Sequence, residues 1–138
     1  MVDIEKVRAF FEKDRFATEN GLVIDSADIG DAVCSVNIQG RHENAGGAVQ
    51  GGVIFTLADF AFAVAANCGG GLVVSLSSSI SFIGQPHGAS IAAHAKLRAE
   101  TSRICFYDVD VTDSAGTLIA RVDVTGYKKN RGMAKKNS

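Results

Sequence analysis

Residues 51–66 read GGVIFTLADFAFAVAA, an apolar run interrupted by one charged side chain, Asp59. The run is too long for a single buried strand, and its Ala, Leu and Phe content suits a helix. The spacing predicts a helix over 51–67, with Gly69-Gly70-Gly71 as its stop signal. A helix apolar on every side cannot face water. It needs a sheet on one side and a further cover on the other. The simplest second cover is another copy of the same helix in a two-fold dimer. The run is shorter than the ~20 residues of a membrane span.

The rest of the chain supplies the sheet. Ile4, Val7, Phe10 and Phe11 recur at helical spacing and predict one short amphipathic helix ending before Asn20-Gly21. Leu22 and Ile24 begin a strand, and Gly30-Asp31 offers a turn. Cys34, Val36 and Ile38 then alternate with Val33, Ser35 and Asn37. Residues 40–47 are polar and glycine-rich, hence a loop. Beyond the long helix, Leu72, Val74, Leu76, Ser78, Ile80 and Phe82 are expected on one strand face, with Val73, Ser75, Ser77, Ser79 and Ser81 on the other. Ile91, Ala93, Ala95 and Leu97 mark the next strand. Cys105, Tyr107, Val109 and Val111 mark a third, and Leu118, Ala120, Val122 and Val124 the last, after a turn at Asp113-Ser114-Ala115-Gly116. Strands joined by short turns give an antiparallel sheet, and the class is α+β.

The totals exclude several classes. A chain of 138 residues is the size of one domain, and a net charge of −1 gives no global pull toward nucleic acid or an anionic membrane. The three cysteines are widely spaced and contain no CxxC, which argues against a disulfide framework or structural zinc. Cys34 and Cys105 read as small buried hydrophobes, consistent with a reducing compartment. The N-terminal stretch mixes charges of both signs and does not read as a signal peptide, so a cytoplasmic location is expected. The basic tail, residues 129–138, lacks periodicity and reads as disordered.

Asp59 is the only Asp, Glu, Lys or Arg between Glu43 and Lys96. A desolvated carboxylate is unfavourable unless paired, and it tends to mark function. Seven residues upstream the helix opens on Gly51-Gly52. Glycine is a poor helix former, so two at the start suggest close approach to the backbone. Helix N-termini present free N–H groups suited to a carbonyl oxygen or oxyanion. Gly52 and Asp59 lie ~10 Å apart along one helix axis, too far to serve one carbonyl. Two antiparallel helices across a dimer axis bring one N-terminus near the other's Asp59.

The segment Asn44-x-x-Gly47-x-x-Gln50-Gly51-Gly52, followed by Val53–Asp59, resembles the active-site segment of hotdog-fold acyl-CoA thioesterases of the phenylacetate-pathway (PaaI) type. The family pattern is N-x-x-G-x-x-H-G-G, with an Asp eight residues after the first glycine of the pair. The resemblance continues through Ser75, through SISFIGQP at 79–86 and through the closing hairpin at 108–127. It implies one hotdog domain over 1–128, an antiparallel sheet wrapped around a long central helix, acting as a homodimer or homotetramer.

The implied reaction is hydrolysis of an acyl-CoA thioester, with coenzyme A as part of the substrate and no separate cofactor or metal. Asp59 matches the family carboxylate, nucleophile or general base for water. The Gly52 amide would polarise the carbonyl from the partner chain, Asn44 would position substrate or water, and Ser75 matches a family Ser or Thr near the carboxylate. Gly51 and Phe82, with Arg98 and Arg103, are the further candidates for holding substrate. Gln50 stands where the family most often has His. Gln can donate a hydrogen bond but cannot carry a proton. At Gly84-Gln85-Pro86 many relatives carry a basic residue just before the proline.

The histidines His42, His87 and His94 show no metal-ligand spacing. His42 is expected as a solvated loop residue. Hydratases of the same fold use a His on or near the central helix, and this helix has none. The alternatives to hydrolysis are a non-catalytic acyl-CoA binder or sensor, and an obligate oligomer without a ligand.

Overall fold

The computed structural model describes residues 2–129. Two short helices come first, α1 (Ile4–Phe11) and α2 (Arg15–Glu19). They are followed by strands β1 (Val23–Asp28) and β2 (Asp31–Asn37), and by a single 3-10 turn at Gly40–His42. The long helix α3 (Gly51–Asn67) precedes β3 (Val73–Phe82), β4 (Ser90–Glu100), β5 (Ile104–Asp113) and β6 (Leu118–Lys128). Every strand pairing is antiparallel, and the sheet order is β1-β2-β4-β5-β6-β3. The sheet curves around α3, which packs chiefly on β2, β4 and β5.

The core follows the period-two pattern. Ile91, Ala93 and Ala95 of β4, Tyr107, Val109 and Val111 of β5, and Ala120, Val122 and Val124 of β6 are buried against α3. The small Ala side chains of β4 let a helix carrying Leu57, Phe60 and Phe62 sit close to the sheet. Phe62 meets Tyr107 edge to face at 5.2 Å, a favourable aromatic geometry. Cys34 and Cys105 are buried free thiols. Desolvation lifts the Cys34 thiol far above its ordinary range, so it behaves as a small hydrophobe.

The structure corrects three expectations. The N-terminal region is two helices rather than one. The Asp14 side chain accepts the Ala17 N–H at 3.1 Å and starts a new helix, the usual competition of an Asp side chain with a continuing helix.

In β3 the expected division of faces fails at a bulge. Paired residues of an antiparallel ladder share a face. Ser78, Ile80 and Phe82 pair with the buried Val124, Val122 and Ala120 and so look inward. Upstream, the register shifts between Ser75 and Ser77, and the inward residues there are Val73 and Ser75. Leu72 and Val74 therefore lie opposite to Ile80 and Phe82, and the extra residue Leu76 is 63 % exposed. The third correction, at His42, belongs to the site. The basic tail lies outside the described residues except for Lys129, whose amide donates to Leu72 O at 2.8 Å. No described helix is long and apolar enough to cross a membrane.

Candidate active site

Of the residues singled out in the sequence, Gln50, Gly51, Gly52 and Asp59 lie on the N-terminal half of α3 or at its start. At ~100° per residue, Phe55, Ala66, Asp59, Gly52, Ala63 and Thr56 fall on one side of α3. All six are exposed or partly buried, whereas Ile54, Leu57, Ala58, Phe60, Ala61, Phe62, Val64 and Ala65 are buried. The helix thus has one face that the chain itself covers only in part, and Asp59 stands in the middle of it.

Among the described residues the Asp59 carboxylate forms no hydrogen bond or ion pair. Burial raises its pKa above the ordinary carboxylate value, and the nearby Asp14 carboxylate at the start of α2 adds to the shift. A carboxylate with no cation beside it and restricted hydration is more basic and more nucleophilic than a free one.

The first turn of α3 is arranged around one amide. Gly51 N–H is taken by the Gln50 side-chain oxygen at 3.1 Å. Val53 N–H and Ile54 N–H donate to Gln50 O at 3.0 and 3.4 Å. The Gly52 N–H has no acceptor among the described residues, and it projects at the positive end of the helix. Gly52 O is engaged by the Thr56 hydroxyl at 2.7 Å. Gly51 has a packing reason to be glycine: a Cβ there would stand 3.1 Å from the Phe82 ring. Gly52 has none, since its nearest such neighbour is Gln50 Cγ at 3.8 Å.

The loop before α3 is held by a residue that was expected in solvent. His42 is fully buried. Its Nδ1 accepts the Gln39 N–H at 2.9 Å, which leaves Nε2 to carry the proton and donate to Asn20 O at 2.8 Å. Its carbonyl accepts the Gln50 N–H at 2.8 Å. Arg41 reinforces the tie by donating to Glu19 O at 2.5 Å. The loop is thereby fastened to α2, and Gln50 is set at the helix start. The sequence carries no local signal for this, because the partners lie 22 residues apart.

Asn44 is exposed, and its side-chain oxygen accepts from Gly46 N at 2.9 Å and Ala48 N at 3.0 Å. It shapes the loop and keeps its amide NH2 outward. Phe82 joins the site through Gly51. Ser75 lies on the inward side of edge strand β3, opposite Gly126, with no hydrogen bond to Asp59. Arg98 pairs with Asp108 at 3.2 Å on the outer face of the sheet, and Arg103 lies in the β4–β5 turn. Neither arginine is brought to the first turn of α3. His94 pairs with Asp31 at 2.8 Å. Among the described residues no group of three or more His, Cys, Asp or Glu is placed to hold a metal ion.

An antiparallel sheet wrapped around one long central helix is the hotdog arrangement. The profile of the thioesterase superfamily matches residues 46–120, and the chain belongs to that family. It is similar to acyl-coenzyme A thioesterase PaaI of Escherichia coli strain K12, 29 % identical over 117 residues that cover 84 % of each chain. A protein of Archaeoglobus fulgidus is 30 % identical over 130 residues, 92 % of this chain and 84 % of that one. The solved structure of the E. coli PaaI protein superposes with a TM-score of 0.82 at 27 % identity, covering 87 % of this chain and 88 % of the other. The chain is thus a PaaI-like thioesterase.

Proposed function

We propose that the protein hydrolyses an acyl-CoA thioester at a site shared between two chains, with Asp59 from one and the Gly52 amide from the other. The observation that carries this reading is the pairing of two unsatisfied groups on α3, an unpartnered carboxylate and an unpartnered amide. On one helix they stand ~10 Å apart and cannot meet at one carbonyl. An antiparallel second copy of α3, packed on the partly covered face, brings each amide to the other chain's carboxylate. The exposed Leu72, just before edge strand β3, and Val74 and Leu76 within it support a second copy continuing beside it.

The chemistry follows from the groups. The Gly52 N–H donates to the thioester oxygen and stabilises the negative charge that builds there. Asp59 acts as nucleophile or as general base toward water. Water is added across the C–S bond, giving the free acid and the thiol of coenzyme A. The leaving thiolate needs little protonation, because thiol pKa values lie near ~8.5. Gln50 supports this without carrying a proton. Its oxygen is held by Gly51 N–H, so its NH2 is free to donate to the substrate. Asn44 presents its outward NH2 to substrate or water.

A second reading, a non-catalytic acyl-CoA binder, is favoured by Gln50 itself, which offers binding without proton transfer. Release of free thiol from a panel of aryl and short- to long-chain acyl-CoA esters separates the two. Hydrolysis is expected, with a loss of ~100-fold or more in Asp59→Asn, the scale of a general base. Saturable binding without thiol release would establish the second reading instead.

A further inference from the structure

Beside the free Gly52 amide the chain forms a half-open pocket of about 200 Å3. Its walls are Phe16 of α2, Leu22, and Val53 and Thr56 of α3, and Gln50 and Gly52 stand at one end. Apart from the Gln50 NH2 and the Gly52 N–H at that end, two polar groups along it are already engaged. The Thr56 hydroxyl bonds to Gly52 O, and the Asn20 amide donates to Phe16 O at 2.8 Å. The lining that remains is apolar. It suits a hydrocarbon whose carbonyl lies at the Gly52 end.

We propose that Phe16, standing over this pocket from α2, sets the size limit of the acyl group that the enzyme accepts. The proposal rests on the thioester site described above. A cavity of ~150 Å3 takes one benzene ring, and pockets for drug-sized ligands begin at ~300 Å3. At about 200 Å3 the part of the pocket that one chain supplies fits a single ring or a short chain, and a longer acyl chain must extend past Phe16.

Phe16 is 68 % exposed, an aromatic ring at the mouth of an apolar pocket. An acyl group beneath it removes the inner face of that ring from water. The wall is also fixed relative to the reacting end. Phe16 O is held by Asn20, Asn20 O by His42 Nε2, and His42 O takes the Gln50 N–H at 2.8 Å. Three hydrogen bonds in series join the Phe16 backbone to the helix start.

The test uses acyl-CoA esters of stepwise acyl size for turnover, and the matching hydrolysis-resistant CoA thioethers for binding, with wild type, Phe16→Ala and Phe16→Trp. Wild type is expected to favour compact groups. Phe16→Ala should shift the ratio of kcat/KM for large against compact acyl groups upward by ~10-fold, and Phe16→Trp downward, the scale of a methylene or two in an apolar pocket. The thioether Kd values should move in the same sense. If size preference is unchanged in both variants, the proposal is overturned. If no ester is hydrolysed but thioether affinity still shifts with residue 16, the size limit stands and the hydrolytic reading fails.

Discussion

Replacing Gly52 by Ala separates the needs of the chain from the needs of the site. Inside the chain nothing favours glycine there. The backbone is helical, the position is exposed, and an added Cβ would find Gln50 Cγ at 3.8 Å, ordinary contact. Alanine is the better helix former by up to ~1 kcal/mol. For a chain of 138 residues that amounts to ~1–3 °C in the unfolding midpoint. The site predicts the opposite sign for activity. A helical Cα–Cβ bond tilts toward the helix N-terminus, the direction in which the free Gly52 N–H projects. The methyl group therefore stands beside the path of the thioester oxygen. Loss of one such donor, or a displacement of about 1 Å, lowers the rate ~100-fold, or ~2.7 kcal/mol. The assay is thiol release beside a thermal melt, with sedimentation to show that the oligomer is intact. A variant with wild-type kcat/KM would refute the reasoning, since glycine at 52 would then serve neither fold nor substrate.

Two further perturbations test neighbouring parts of the account. A carboxyl whose pKa is raised binds its proton more tightly folded than unfolded, so its ionisation opposes folding as pH rises from ~4 through the folded value. Asp59→Asn is therefore expected to melt higher than wild type at pH 7 while losing activity, and the gap should close below about pH 4; a lower melt at pH 7 would contradict it. Gly126→Ala should destabilise without touching the chemistry. Its Cβ would lie 2.7 Å from Cys105 Sγ, 2.9 Å from Val73 Cγ1 and 3.0 Å from Phe62 Cζ. Overpacking of this kind lowers stability by ~1–3 kcal/mol, or ~3–10 °C in a thermal melt.

Helix α3 was legible to the residue, because a 17-residue apolar stretch bounded by glycines admits few other conformations. The alternation in β4, β5 and β6 was equally readable, since each strand buries one face on that helix. Three features were hidden. The break before α2 depends on a single side-chain bond from Asp14. The change of face in β3 depends on one extra residue, Leu76, in a run of apolar and Ser residues that tolerates either face. His42 sits among polar loop residues, and its burial is decided by Asn20, which only the fold brings near. Asp59 and Gly52 stood out in the sequence by chemistry, as a charge and a flexible residue in an apolar helix. The arginines Arg98 and Arg103 had no such context, and Arg98 is engaged by Asp108 on the outer face.

The central claim is that each site draws Asp59 and Gly52 from different chains, and mixed oligomers test it most directly. Asp59→Asn and Gly52→Ala chains, each nearly inactive alone, are co-expressed in equal amounts and assayed for thiol release. In a mixed pair the intact Asp59 of one chain faces the intact Gly52 of the other, so one of its two sites is whole. Random pairing then restores about a quarter of wild-type activity. Activity no greater than the mean of the two parents would place both groups of a site in one chain and contradict the account.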